Sequence, residues 1–331
     1  IAVIKANAYG PGMVEVARAL EPVAPAFAVA LSEEAVLLRD AGISRPILIL
    51  QGVNAAEELL EAAAKNFWVM MHRPRQLDEL LRCRPEKPFG VWLKLDTGMH
   101  RFGLAPERLD DVCRRLRSSA NIGPGLVLCT HLACADDLEN PITARQARIA
   151  RSMSEQHRLG LSIANSAGFL HWPETHAYWN RPGYMLYGNC PTGAFASASS
   201  RLRPAMSMAS EIFAIRNLER GEGVGYGQDW VAKRPSRIGT IPIGYGDGYP
   251  RHATNGTPVL VNGRRVPLAG RVSMDAIAVD LTELENAEIG DPVELWGENL
   301  KVNEVASAAG TIGYEILAGL TGRVPLVYES D

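Results

Sequence analysis

Over residues 1–202 the chain switches repeatedly between two hydrophobic patterns. Short, nearly unbroken apolar runs at 1–5, 26–30, 47–50, 67–71, 91–95, 126–130 and 161–164 read as strands buried on both faces, and a last short one falls near 178–180. Between them, apolar residues three and four apart read as amphipathic helices. These cover 13–20, a helix capped by Ser32 and ended by Gly42, 55–64 behind an Asn54 cap, 74–82, 106–116 and 141–157. Glu33 and Glu34 fall in the first turn of the Ser32 helix, where carboxylates suit the helix dipole. With Ala35 at its third position, a plain cap is predicted there and not a capping box. The series of eight strand-helix units predicts a parallel sheet closed into a (β/α)8 barrel. A doubly wound open sheet is the alternative, but no Gly-x-Gly-x-x-Gly turn follows the first strand.

Near Arg203-Pro204 the pattern changes to short strands punctuated by Gly and Pro, at 206–215, 236–243, 258–261, 264–268, 275–280 and 292–295. Asn262-Gly263 is a hairpin-turn signal between two of them, and short helices are expected at 303–309 and 314–320. The expected domains are therefore a barrel over 1–202 and a mostly β domain over 203–331. The length suits two domains, and 47% hydrophobic with 21% charged residues is a soluble globular balance. A net charge of −3 points to neither nucleic acid nor an anionic membrane surface, and no apolar run reaches membrane-spanning length. The odd set of five cysteines has no paired metal spacing, although Cys129 and Cys134 straddle His131. Reduced thiols in a cytoplasmic protein, with no metal, are the expectation. The chain opens at Ile1 inside a strand without a Met, so preceding residues, and any export signal among them, are expected outside this sequence.

Functional groups of such a barrel sit at the C-terminal ends of its strands. Lys5 ends the first predicted strand, Lys94 lies near the end of the fifth, and His131 follows the sixth. Asn165-Ser166 follows the seventh and Arg181 the eighth. An amine such as Lys5, desolvated at a strand end, becomes a nucleophile or base, whereas a lone lysine there is usually a solvated cap. Asn165-Ser166-Ala167-Gly168 opens a short helix. It reads either as an ordinary N-cap or as a cradle of amides and a hydroxyl for a phosphate. In Arg181-Pro182-Gly183-Tyr184 the glycine lets the backbone approach a ligand closely.

The stretch Ile1-Ala2-Val3-Ile4-Lys5-Ala6-Asn7-Ala8-Tyr9-Gly10-Pro11-Gly12 closely resembles the cofactor-lysine signature of the alanine racemase family, with Pro11 where the family usually has His. Lys94-Leu95-Asp96-Thr97-Gly98-Met99-His100-Arg101 and the Asn165 and Arg181 stretches also match that family. So do Val224-Gly225-Tyr226-Gly227, Ile243 to Tyr249, Gly270 to Asp275, and Ile312-Gly313-Tyr314-Glu315. Motifs in order over nearly the whole chain are far more specific than any one of them. The resemblance implies an enzyme that interconverts L- and D-alanine through a pyridoxal 5'-phosphate (PLP) aldimine on Lys5, supplying D-alanine for cell-wall peptidoglycan. It further implies that Ser166, Asn165 and the amides of Gly183 and Tyr184 take the phosphate, with Tyr9 and Tyr314 as further donors. His131 lies at the ring, and Arg181 faces the pyridine nitrogen. Arginine can only donate, which leaves a weak electron sink and limits side reactions. Lys94, often carbamylated in the family, holds Arg101, which contacts the cofactor and the substrate carboxylate. Tyr226 is implied as a second base reaching the barrel of a partner subunit in a homodimer, with Tyr245 and Asp275 lining the substrate entrance and the Met274 amide meeting the substrate carboxylate. A serine or broad-specificity racemase is a close variant. A decarboxylase of basic amino acids is a rival, but it wants an acidic partner for the pyridine nitrogen, and the chain offers Arg181. A non-enzymatic PLP carrier has no use for the β domain and Tyr226.

Overall fold

The computed structural model describes residues 1–53, 55–191 and 201–329, so the Asn54 cap lies outside the described residues. The chain divides into two compact units. The first comprises Ile1–Ala8, Gly12–Leu186 and Cys190–Ala198, and the second Tyr9–Pro11, Tyr187–Asn189 and Ser199–Asp331.

In the first unit β1 (Ala2–Val3), β2 (Phe27–Val29), β3 (Ile47–Ile49), β4 (Phe67–Met71), β5 (Gly90–Lys94), β6 (Val127–Cys129) and β7 (Gly160–Ser162) pair in chain order, every pair parallel. Their residues are almost all buried, as continuous apolar runs require when helices cover one face and a packed interior the other. Those helices are α1 (Met13–Leu20), α2 (Ser32–Asp40), α3 (Ala56–Ala64), α4 (Pro74–Arg82), α5 (Leu109–Arg117) and α6 (Ile142–His157), with a short α7 (Ser166–His171).

The eighth strand differs from the sequence expectation. Around Trp179 there is only an isolated parallel bridge to Ser162. An extended segment nevertheless fills the eighth position with bonds on both sides. The Trp179 and Arg181 amides donate to Leu161 and Ala164, and the Ile1 and Val3 nitrogens donate to Asn180 and Pro182. Pro182 has no N–H to give, which is one reason the ladder stays irregular here. These bonds join β7 to β1, and the curled sheet is barrel-like. Trp68 of β4, Trp92 of β5 and Trp179 meet with ring centroids 5.6–6.0 Å apart. Trp179 lies opposite β4 and β5 around the ring of strands, so these rings fill the interior.

The second unit is mostly β. Strand β9 (Ala214–Leu218), β12 (Ser236–Ile241) and β15 (Ile277–Asp280) form one antiparallel sheet. Strand β8 (Met208–Glu211), β13 (Pro258–Val261), β14 (Arg264–Pro267) and β16 (Pro292–Trp296) form another. Asn262 and Gly263 both take positive φ, 50° and 72°, as the predicted two-residue hairpin needs. The expected strand at 206–215 is two strands, β8 and β9. A small hairpin of β10 (Gly223–Val224) and β11 (Trp230–Val231) was not expected. Helices α8 (Val302–Ala308) and α9 (Gly313–Ala318) follow. Among the described residues no helix is long and apolar enough to cross a membrane. All five cysteines are free thiols.

Two glycines of the first unit separate strain from crowding. Gly42 (φ 92°) has open space where a Cβ would go, whereas at Gly52 (φ 69°) it would lie 2.2 Å from the Met70 carbonyl oxygen. Urea unfolding is expected to show a loss of about 1–2 kcal/mol for Gly42→Ala. Gly52→Ala adds crowding, for a total of about 2–5 kcal/mol. Equal losses would mean that the close approach at Gly52 is absent in solution.

Candidate active site

Lys5 lies beyond β1, separated from it by one residue, Ile4. The next four residues, Ala6, Asn7, Ala8 and Tyr9, all have left-handed φ, between 52° and 58°. These non-glycine residues make one left-handed turn ahead of Gly10 and Gly12, at a cost of roughly 1–2 kcal/mol each. The turn is pinned by the Ala8 amide on Ile4 (2.9 Å), Gly12 on the Asn7 carbonyl (3.1 Å), and Met13 on Asn7 Oδ1 (2.9 Å). The Ala6 amide donates to Glu34 Oε1 at 2.7 Å. Helix α2 starts at Ser32 and not after it, so Glu34 is its third residue. Glu34 Oε2 accepts the Ala30 and Leu31 amides, the carboxylate half of a capping box that the predicted boundary hid.

Lys94 ends β5. The loop after it is shaped by Asp96, whose Oδ1 accepts the Gly98, Met99 and His100 amides and whose Oδ2 faces His100 Nδ1 at 3.1 Å. Burial opposes the Asp96 charge, but the amides of Gly98 and His100 and the imidazole outweigh it and hold its carboxyl below the usual range. Arg101, at the end of the loop, is exposed. Loops 94–101 and 130–133 are tied together by Gln146 of α6, which is fully buried. Its amide nitrogen donates to Thr97 Oγ1 (3.1 Å) and to the His131 carbonyl (3.0 Å), and its oxygen accepts the Ala133 amide (2.9 Å). The Thr97 and Thr130 hydroxyls are 2.6 Å apart. Nothing in the sequence singles out Gln146, because a glutamine on a helix is ordinarily solvated.

Arg181 is buried. Its Nη2 donates to the Thr130 and Ile163 carbonyls and its Nη1 to Ser162 Oγ, while among the described residues its Nε meets no acceptor. Beside it, Asn165 caps α7 through Gly168 N (2.9 Å). Ser166 Oγ accepts the Gly183 (3.0 Å) and Met185 (3.3 Å) amides. Ser166 is thus bonded directly to the Gly183 backbone, and the neighbouring Tyr184 is buried.

The four cations Lys5, Lys94, Arg101 and Arg181 act on one another. Burial, then Arg101, holds the Lys5 ammonium below the ordinary lysine range, while Glu34 pulls the other way. Lys94 is lowered to about 8, mainly by burial, with Cys129 opposing and Arg181, Arg101 and Lys5 adding. Burial and the same four cations keep the His131 imidazole far below its usual range, hence neutral. Among the described residues neither amine nor the imidazole has a hydrogen-bond partner.

The second unit gathers Tyr9, Tyr187 and Tyr314, with ring centroids of Tyr9 5.0 Å from Tyr187 and 6.0 Å from Tyr314. Burial pushes the Tyr9 phenol up to about 12. Pro11 is buried, and its carbonyl accepts the Tyr328 hydroxyl at 3.0 Å. Tyr226 is 69% exposed, in the turn between β10 and β11, which the Arg271–Asp229 ion pair braces. Segments 243–249 and 270–276 are joined by the Tyr245 and Gly246 amides on Ser273 and Met274. Arg323 spans Asp247 (3.2 Å) and Asp275 (2.8 Å). Among the described residues the Met274 amide has no acceptor.

Comparison with known proteins matches residues 1–191 to the family described as "Alanine racemase, N-terminal domain" and 205–328 to "Alanine racemase, C-terminal domain". The chain belongs to the alanine racemase family of enzymes. It is 51% identical to alanine racemase of Chromohalobacter salexigens, over 100% of this chain and 91% of that one. Its fold superposes on the crystal structure of biosynthetic alanine racemase from Pseudomonas aeruginosa with a TM-score of 0.96 at 46% identity, covering 100% and 92% of the two chains. The crystal structure of alanine racemase from Bartonella henselae with covalently bound pyridoxal phosphate gives 0.86 at 30% identity, over 97% and 90%. Decarboxylases do not come into consideration for a chain so placed among alanine racemases.

The lowered Lys94 fixes the sign of a pH effect. Between pH 8 and the ordinary lysine range the unfolded chain binds more protons than the folded one, so stability rises with pH there and is least below pH 8. With Lys94 unmodified, Lys94→Met is expected to raise the thermal midpoint at pH 7, and the gain should shrink by pH 10. A gain independent of pH would assign the effect to packing.

Proposed function

We propose that this protein interconverts L- and D-alanine with pyridoxal 5'-phosphate held on Lys5. The observation that supports the cofactor is the donor set of the first unit. Four cations gather at the ends of parallel strands, with only the Glu34 carboxylate acting on Lys5. That set fits a phosphorylated anion that also offers a carbonyl to an amine. Lys5 would hold the group covalently, Ser166 with the Gly183 and Tyr184 backbone and Asn165 would face its phosphate, and Arg181 Nε and the neutral His131 would face its ring. We propose phosphate-directed hydroxyls for Tyr9 and Tyr314. When bound, the group supplies acidity to the α-hydrogen of the amino acid.

The chain's own residues then have separable tasks. Arg101 binds the substrate carboxylate. In our reading Lys94 is carbamylated, which turns a cation beside Arg101 into an anion that can orient it by a charge-assisted hydrogen bond. An intact-mass increment on Lys94 tests this. Lys5 Nζ, held below the usual lysine range, moves a proton at one face of the α-carbon. Tyr226 Oη of a second copy of the chain moves one at the other. With it come Tyr245 and Asp275 at the entrance and the Met274 amide as a further carboxylate donor. The D-alanine feeds peptidoglycan, so loss of the gene should create a requirement for D-alanine.

Borohydride reduction of the pyridoxal-phosphate-loaded protein should fix the label on Lys5, and a label on Lys94 would overturn the assignment. Lys5→Ala and Tyr226→Phe proteins, each inactive, should regain activity when mixed under subunit exchange, because one site of a mixed dimer has both groups intact. No recovery despite proven exchange would place both bases on one chain.

Tyr226→Phe should still exchange the α-hydrogen of D-alanine with deuterated water through Lys5. Exchange of L-alanine should drop by about 10²–10⁴-fold, the usual cost of a lost general base. Equal exchange of both antipodes would point to a single base.

A further inference from the structure

We infer that Glu34, a residue outside the cofactor and proton-transfer set, positions Lys5 by clamping the strained left-handed turn that follows it. This rests on Lys5 being the working amine, as proposed above. All of the groups bonded to the Glu34 carboxylate are backbone N–H donors: Ala6 on Oε1 at 2.7 Å, and Ala30 and Leu31 on Oε2 at 2.7 and 3.2 Å. Two of these are the orphan amides at the entry to α2. The third belongs to the residue beside Lys5 and lies 28 positions away in sequence. A plain helix cap has no need of it.

The bonds around the turn fall into two groups. Asn7 and Gly12 close its far end, through Met13 on Asn7 Oδ1 and Gly12 on the Asn7 carbonyl. At its near end the Ala8 amide bonds to the Ile4 carbonyl (2.9 Å), and the Ala6 amide is held by Glu34 alone among the described residues. Ala6 has φ 52° and Ala8 φ 56°, conformations an alanine leaves readily when nothing holds it. Freeing the Ala6 amide leaves the Ala8–Ile4 bond to hold that end by itself, so the turn loosens and the Lys5 side chain loses its fixed direction at the rim of the barrel. The same carboxylate is also the one negative group that opposes the lowering of Lys5 by burial and Arg101.

The chemistry makes glutamine a poor substitute. Its carboxamide presents an NH2 where an acceptor is required, so at least one of the three amides loses its partner. Glu34→Gln is therefore expected to behave much as Glu34→Ala. The test that separates positioning from simple helix capping is relief of strain, since glycine takes left-handed φ without penalty. Ala6→Gly alone should stay within about two-fold of the parent in kcat, while Glu34→Gln should lower kcat by roughly ten-fold or more, the scale of a small misplacement of a reacting group. Adding Ala6→Gly to Glu34→Gln should recover most of that loss.

Two readouts do not depend on turnover. Hydrogen exchange in a peptide covering residues 1–12 should speed up in Glu34→Gln. The rate at which the apoprotein takes up pyridoxal phosphate on Lys5, trapped with borohydride, should fall with it and recover in the double variant. If Glu34→Gln lowers the thermal midpoint but glycine restores neither kcat nor the labelling rate, Glu34 is a helix cap only and the inference fails. Unchanged exchange and labelling in Glu34→Gln would also overturn it. A parent protein that labels at another lysine sinks the reading of Lys5 instead, and the exchange result still reports whether Glu34 holds the turn.

Discussion

The buried guanidinium of Arg181 is the constraint on which the rim of the barrel depends. A charge out of water costs several kcal/mol unless its donors are met. Here Nη1 and Nη2 are met by Ser162 Oγ and by Thr130 O and Ile163 O, at the ends of β6 and β7, while Nε meets no acceptor among the described residues. The backbone of the same segment bonds to Ala164 on one side, and Pro182 accepts from Val3 on the other. The residue that installs a permanent cation at the mouth thus also sits in the segment that closes the sheet. Closure and charge cannot be changed independently, and a smaller or neutral residue at 181 would leave three acceptors bare at the seam.

Permanent charge there has consequences for every titrating neighbour. An arginine does not give up its proton, so the strain of crowding falls on the groups that can: Lys94, Lys5 and His131. Each is driven toward its neutral form by burial and then by its cationic neighbours. A lowered amine and a neutral imidazole are better suited to nucleophilic attack and proton transfer than an ordinary lysine and an imidazolium. The price of that arrangement is an excess of positive charge, which an anionic ligand would relieve.

Much of the barrel was legible because parallel strands buried on both faces leave unmistakable apolar runs. Residues 67–71 and 74–82 fold within the predicted limits, and Lys94 ends its strand as expected. What was not legible depends on contacts far apart in sequence. The eighth stave has too few apolar residues and a proline, so only its bonds to Leu161 and Ala164 on one side and Val3 on the other reveal it. Gln146 and Glu34 look like solvated helix residues until the loops they reach are known. The left-handed turn could not be foreseen from Ala6 to Tyr9, since local preference argues against it and tertiary bonds override that preference. The β10–β11 hairpin was missed because two residues a side show no period.

The second base proposed above, Tyr226, is not enclosed by its own chain. A phenol at 69% exposure has water on it, and water competes for any proton it could pass. Its turn is nonetheless built with care. Gly225 and Gly227 take φ of 66° and 71°, and the Arg271–Asp229 pair stiffens the tip from behind. Such bracing fixes where the hydroxyl points, and it has no value to a side chain that only meets solvent. Met274 repeats the pattern, with a backbone amide lacking an acceptor among the described residues and a side chain 52% exposed. Two rigidly presented polar groups on an open surface make physical sense when another surface is to cover them. If Tyr226 is the base proposed above, the barrel mouth of a second copy would have to supply the desolvation that it lacks in one chain alone.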